Sequence, residues 1–124
     1  MKQILIMGAA LMALGVVLGA FGAHGLKDKL APNLMAAYQT GVEYHFYHAL
    51  GLLLVGLLSY HFPQAAGLNS GAWCLLVGVL LFSGSLYIMA ITGIRWLGAI
   101  TPIGGVAFIV GWVWITWTLV KQVE

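Results

Sequence analysis

From Tyr44 to Ile94 the chain carries no Lys, Arg, Asp or Glu, a stretch too long for one helix and too apolar to rest in water. Such a run must fold back on itself in a medium that demands no charges. About 20 mostly apolar residues let one helix cross the ~30 Å hydrocarbon core of a bilayer. The point of reversal is legible, because His61-Phe62-Pro63-Gln64 through Gly67-Leu68-Asn69-Ser70-Gly71 concentrates residues that end helices and form loops. A span is therefore expected on each side of residues 61–71, at about 44–61 and 72–92.

The rest of the chain repeats the pattern. A charge-free run over about 4–23 lies between Lys2 and the group Lys27, Asp28 and Lys29, and a second, about 98–120, follows Arg95 and Trp96. The first run is longer than the apolar core of a usual secretory signal, so a retained helix is expected. Within the fourth, Thr101-Pro102 leaves two readings open: a helix that begins at Thr101 with proline in its first turn, or a proline kink in a span that starts nearer Trp96. Ala31-Pro32-Asn33 resembles a helix start, and Leu34, Tyr38 and Val42 recur every four residues, so a short interfacial helix is expected there. It would run into the second span, with Gly41 as a bend. With 62% hydrophobic and 6% charged residues among 124, no soluble catalytic or nucleic-acid domain fits beside these spans. The expected fold class is all-α, an integral membrane bundle of four transmembrane helices with an interfacial helix in the first loop, and 1–124 as a single domain.

Charge and cysteine narrow the partners. The eight charges are scattered singly or in small groups, which excludes the basic patch that nucleic acid requires. Cys74, alone in an apolar run, offers no disulfide within the chain and reads as a small buried hydrophobe. An even number of spans puts both termini on one side. Lys2 and Lys121 then stand against Lys27, Lys29 and Arg95 in the loops, a bias that favours loops in the cytoplasm and termini outside it. Arg95 would snorkel to the headgroups, and Trp112, Trp114 and Trp117 are expected at the headgroup level near Lys121.

Seventeen glycines would destabilise helices in water, but in lipid small residues let helix backbones approach closely. Gly15, Gly19 and Gly22 fall near one stripe of the first helix, and they are expected to form packing surfaces together with Gly84, Gly104 and Gly105. Ser83, Ser85, Thr116 and Thr118 have no acid or base at a catalytic spacing, so structural hydrogen bonds are expected of them.

The polar residues with the most chemical content are Glu43-Tyr44-His45-Phe46-Tyr47-His48 at the expected mouth of the second span, with His24 beyond the first. Ionisable residues at membrane depth are costly and are functional candidates by default. His45 and His48, three apart, with His24 or Glu43 offer a mixed nitrogen and oxygen metal site or a proton relay. The competing structural reading has the same groups tie the first loop to the helix ends by hydrogen bonds. It is favoured, since the tighter His-x-x-x-His spacing is missing and there is one carboxylate. No cofactor is expected, and whether a metal binds stays open.

Three segments resemble a known family: Gly19-Ala20-Phe21-Gly22-Ala23-His24-Gly25-Leu26; Tyr44-His45 with His48-Ala49-Leu50; and Phe82-Ser83-Gly84-Ser85-Leu86-Tyr87 followed by Thr101-Pro102-Ile103-Gly104-Gly105 and Gly111-Trp112. The family is that of the small bacterial inner-membrane proteins called YgdD-like or YwdK-like, a domain of unknown function. The resemblance implies a multi-pass protein of a bacterial inner membrane and no particular activity. The expected role is a non-enzymatic scaffold or accessory protein that binds lipid, a membrane protein partner or a second copy of itself. The alternative is a small transporter or channel for a proton, metal ion or solute that uses the His24, Glu43, Tyr44, His45 and His48 cluster at the membrane boundary.

Overall fold

The structure is a computed structural model and describes residues 2–123. Four helices long and apolar enough to cross a membrane account for nearly all of it: α1 (Lys2–His24), α2 (Pro32–His61), α3 (Ala66–Thr92) and α4 (Thr101–Val123). Large apolar side chains such as Val17, Leu57, Leu80 and Ile109 point outward, which in hydrocarbon leaves nothing to hide from solvent.

Each helix ends for a local reason. After His24 the chain folds back as Gly25 and Leu26 both donate their N–H to the Phe21 carbonyl, and Leu26 tucks into the interior. Asp28 adopts φ 68°, a left-handed conformation that a short polar side chain tolerates better than most. Pro32 then opens α2 at a position where no intrahelical N–H is lost. The stripe of Leu34, Tyr38 and Val42 belongs to the first turns of this continuous helix. Gly41 lies within it, and the missing side chain serves contact with α3: a Cβ there would come within 3.0 Å of the Tyr87 ring.

The reversal between α2 and α3 is tighter than the sequence suggests. The link is residues 62–65, and Gly67 through Gly71, expected in a loop, form the first turns of α3. Gly67 and Gly71 are there because α4 passes over them: Cβ atoms would run into Thr118 and Ile115. Gly93, at φ 74°, closes α3 by giving its N–H to the Met89 carbonyl, a left-handed cap that glycine adopts without steric cost. A 3₁₀ turn over Arg95–Ala99 follows, and α4 begins at Thr101 with Pro102 in its first turn, so proline interrupts no helix.

The helices pack in chain order, α1 on α2, α2 on α3 and α3 on α4. The buried residues of α1 are Ile4, Gly8, Gly15 and Gly22, so its seam with α2 is almost wholly glycine at seven-residue spacing. Cβ atoms would meet the Leu53 backbone nitrogen at 3.0 Å from Gly8 and the Phe46 ring at 3.1 Å from Gly15, while at Gly22 one would strike the Tyr38 ring. Between α3 and α4, Gly104 lies against the backbone of Phe82, and Cβ atoms at Gly71 and Gly111 would stand 3.2 and 3.1 Å from the other residue's carbonyl oxygen. Of the other glycines read as packing positions, Gly19 and Gly105 make ordinary van der Waals contact. Gly84 is a correction, for nothing lies within 4 Å of where its Cβ would be. Leu52, Leu68, Leu75, Val79, Phe108 and Ile115 fill the space among α2, α3 and α4.

Candidate functional site

Two buried histidines organise the polar interior. His45 is 1% exposed, with Nε2 at 2.7 Å from the Leu11 carbonyl oxygen of α1 and Nδ1 at 2.8 Å from the Tyr87 hydroxyl of α3. A carbonyl only accepts, so Nε2 carries the proton and donates, and Nδ1 accepts from the tyrosine. Gly15 makes this reach feasible, because a Cβ there would stand 3.3 Å from the imidazole. One ring thereby bonds three helices together.

His48, one turn further along, turns to α4 instead. Its Nδ1 is 2.7 Å from the Tyr44 carbonyl oxygen and must donate, so Nε2 accepts the indole N–H of Trp112 at 3.0 Å. Its ring stacks on Phe108 with centroids 3.6 Å apart and planes 8° from parallel. Protonating this imidazole would set two N–H donors face to face, so the bond requires the neutral ring.

Further polar links join the same helices. Tyr38 donates to the Leu18 carbonyl of α1 at 2.5 Å, and Ser83 of α3 donates to the Gly41 carbonyl of α2 at 2.7 Å. Ser85 donates to the Phe82 carbonyl at 2.9 Å and so accepts from Thr101, at 2.6 Å, where α4 starts. Among the described residues, every buried side-chain nitrogen and oxygen has a partner. In hydrocarbon an unpaired one would cost several kcal/mol.

The candidate residues separate accordingly. His45 and His48 are on the inside but engage different helices; His24 and Glu43 are exposed, and Tyr44 is at the surface between α2 and α4. Among the described residues no three of the His, Cys, Asp and Glu side chains are grouped to hold a metal ion. Both histidines have each ring nitrogen committed, leaving no lone pair for a ligand.

α2 is continuous from Pro32 to His61, and His48 is near the middle of this 30-residue helix. Trp112, expected at the headgroup level, is at the midpoint of Thr101–Val123 and reaches inward to His48. Trp117, nearer the end, fits the interfacial role, with the Lys121 ammonium 5.0 Å above its ring. Sequence reasoning had no way to pair Tyr87 with His45 or Trp112 with His48. Both aromatic partners nevertheless fall inside the segments that carry the family resemblance.

Comparison with known proteins agrees with this architecture. Residues 18–105 match a family described as a protein of unknown function, DUF423. A membrane protein of Bacillus subtilis named YwdK, of the group UPF0382, is 48% identical over 121 residues, covering 98% of both chains. UPF0382 membrane proteins of Staphylococcus epidermidis and Staphylococcus haemolyticus are 51% and 49% identical, each covering 90% of both chains. No solved structure matches the chain. The apolar helices and the relatives together make this a multi-pass membrane protein, and the chain belongs to the DUF423 family, whose function is unknown.

Proposed function

We propose that the protein is a non-enzymatic accessory component of the cytoplasmic membrane, which works by binding another membrane component at its lipid-facing surface. The observation that carries this reading is the complete use of both buried histidines. His45 and His48 each give one N–H to a backbone carbonyl and accept one bond from an aromatic residue, so neither keeps a free lone pair with which to ligate or attack. A transport path would need a polar lining, whereas the space at this level is taken by Leu52, Leu75, Val79 and Phe108.

Purified protein in mild detergent is expected to carry no stoichiometric metal and no haem band. Reconstituted in vesicles with an internal pH dye or a zinc-sensitive dye, it is expected to give no proton or zinc flux above protein-free vesicles. Flux that disappears in His48→Ala would overturn the reading in favour of a transporter.

The proposed orientation places Lys27, Lys29 and Arg95 in the cytoplasm and both termini outside. It is supported by the positive residues that flank the spans. In whole cells a membrane-impermeant thiol reagent is expected to label Lys2→Cys and spare Lys29→Cys, both in a Cys74→Ser background. The reverse pattern would invert the topology.

A further inference from the structure

We propose that the open groove between α2 and α4 binds a lipid-soluble ring compound that carries carbonyl acceptors, the chemistry of an isoprenoid quinone. The proposal rests on the reading that the lipid-facing surface is the working one, and it names the ligand class.

The groove encloses about 640 Å³, within the usual range for small-molecule sites. Its wall is aromatic: Tyr44 lies 4.7 Å from Phe82 between ring centroids and nearly parallel to Phe108, at 19°, and Phe108 is itself stacked on His48. Phe108 and His48 are buried at the back of this wall, while Tyr44 and the rim residues Tyr47, Ile109 and Val113 are exposed. A flat ring entering sideways from the bilayer would pack against the exposed ring of Tyr44. Trp112 closes one end, held by its bond to His48.

Polar chemistry selects among the molecules that could fill such a space. Tyr44 and Tyr47 both line the groove, and among the described residues neither hydroxyl has a hydrogen-bond partner. Phe108 is midway along the apolar stretch Arg95–Gln122, long enough to cross a membrane, and Tyr44 and Tyr47 lie within Pro32–His61, so the groove is expected at the depth of the hydrocarbon layer. A phenol there needs an acceptor that the bilayer brings to it. Phospholipid ester carbonyls are held at the interface by their charged headgroups. A neutral quinone has no such tether and presents carbonyls on a flat ring with an apolar tail.

The test is a titration of the detergent-purified protein with decylubiquinone, read by quenching of tryptophan fluorescence. The comparisons are Tyr44→Phe/Tyr47→Phe, which keeps both rings and removes both hydroxyls, and dodecylbenzene as a carbonyl-free competitor. Saturable quenching is expected, weakened about tenfold in the double variant and unaffected by dodecylbenzene. Both tyrosines are exposed, so the variant is expected to keep its fold, which circular dichroism checks. Quenching that rises linearly without saturation, equal affinity in the double variant, or displacement by dodecylbenzene would each overturn the proposal. Those failures would leave the metal and flux results untouched, whereas flux would overturn the accessory role whatever the quinone does.

Discussion

Replacing Gly104 by alanine is expected to destabilise the protein by about 1–3 kcal/mol, the range for overpacking a tight interior, and Gly104→Val by more. A Cβ at this position would lie 2.8 Å from the Cα and Cβ of Phe82, and closer still to that residue's backbone nitrogen. Backbone cannot rotate out of the way, so α3 and α4 must move apart. The separation propagates, because Gly78 on Phe108 and Gly71 on Gly111 depend on the same interhelical distance. Two effects compete, since alanine is the better helix former by about 1 kcal/mol in water. The clash should win, because in lipid close packing is itself what holds helices together. Gly84→Ala is the control: with nothing within 4 Å it meets no clash, so it should leave stability unchanged or raise it by up to about 1 kcal/mol. Equilibrium unfolding in mixed micelles of mild detergent and dodecyl sulfate measures all three. A Gly104→Ala protein as stable as the parent would mean that some other contact sets the α3 to α4 distance.

That pair of glycines also shows what the sequence could and could not disclose. The absence of charge between Glu43 and Arg95 points to membrane helices, because a helix alone satisfies its backbone within a single apolar segment in hydrocarbon. Which glycine meets a neighbour depends on helix rotation, and Gly84 and Gly104 are indistinguishable by composition. Gly67 and Gly71 misled for the same reason: glycine signals both loop and close contact, and in α3 contact with α4 prevails. At the candidate site, His45 and His48 are identifiable because ionisable side chains in an apolar run need partners. Their partners, Leu11 and Tyr87 for one and Trp112 for the other, are separated from them by 34, 42 and 64 residues. No periodicity reports such pairings, and the indole of Trp112 imitates an interfacial anchor so closely that only its midpoint position in α4 corrects the reading.

His45→Ala should lower stability by about 2–4 kcal/mol, most of it from packing. Hydrogen bonds between membrane helices average roughly 0.6 kcal/mol, with a maximum near 1.7, so the bonds to Leu11 and Tyr87 together account for about 1 kcal/mol. The remainder comes from the void left where a ring that is 1% exposed had been enclosed by three helices, a loss of the size seen on large-to-small truncations. His45→Phe divides the two contributions: it keeps a ring of similar breadth and drops both bonds, so it should recover more than half of the loss. His48→Ala should cost less than His45→Ala, because its site adjoins the open groove, where lipid can refill the space. For the bond to Trp112 itself, a double-mutant cycle of His48→Phe and Trp112→Phe should give a coupling of about 0.6–1.7 kcal/mol. A histidine that serves only to bind a ligand would behave differently, since its removal in the ligand-free protein would cost little. Unchanged unfolding of both His45→Ala and His48→Ala would therefore reopen the metal and proton-relay readings, and a loss in both ties these imidazoles to the assembly of the helices.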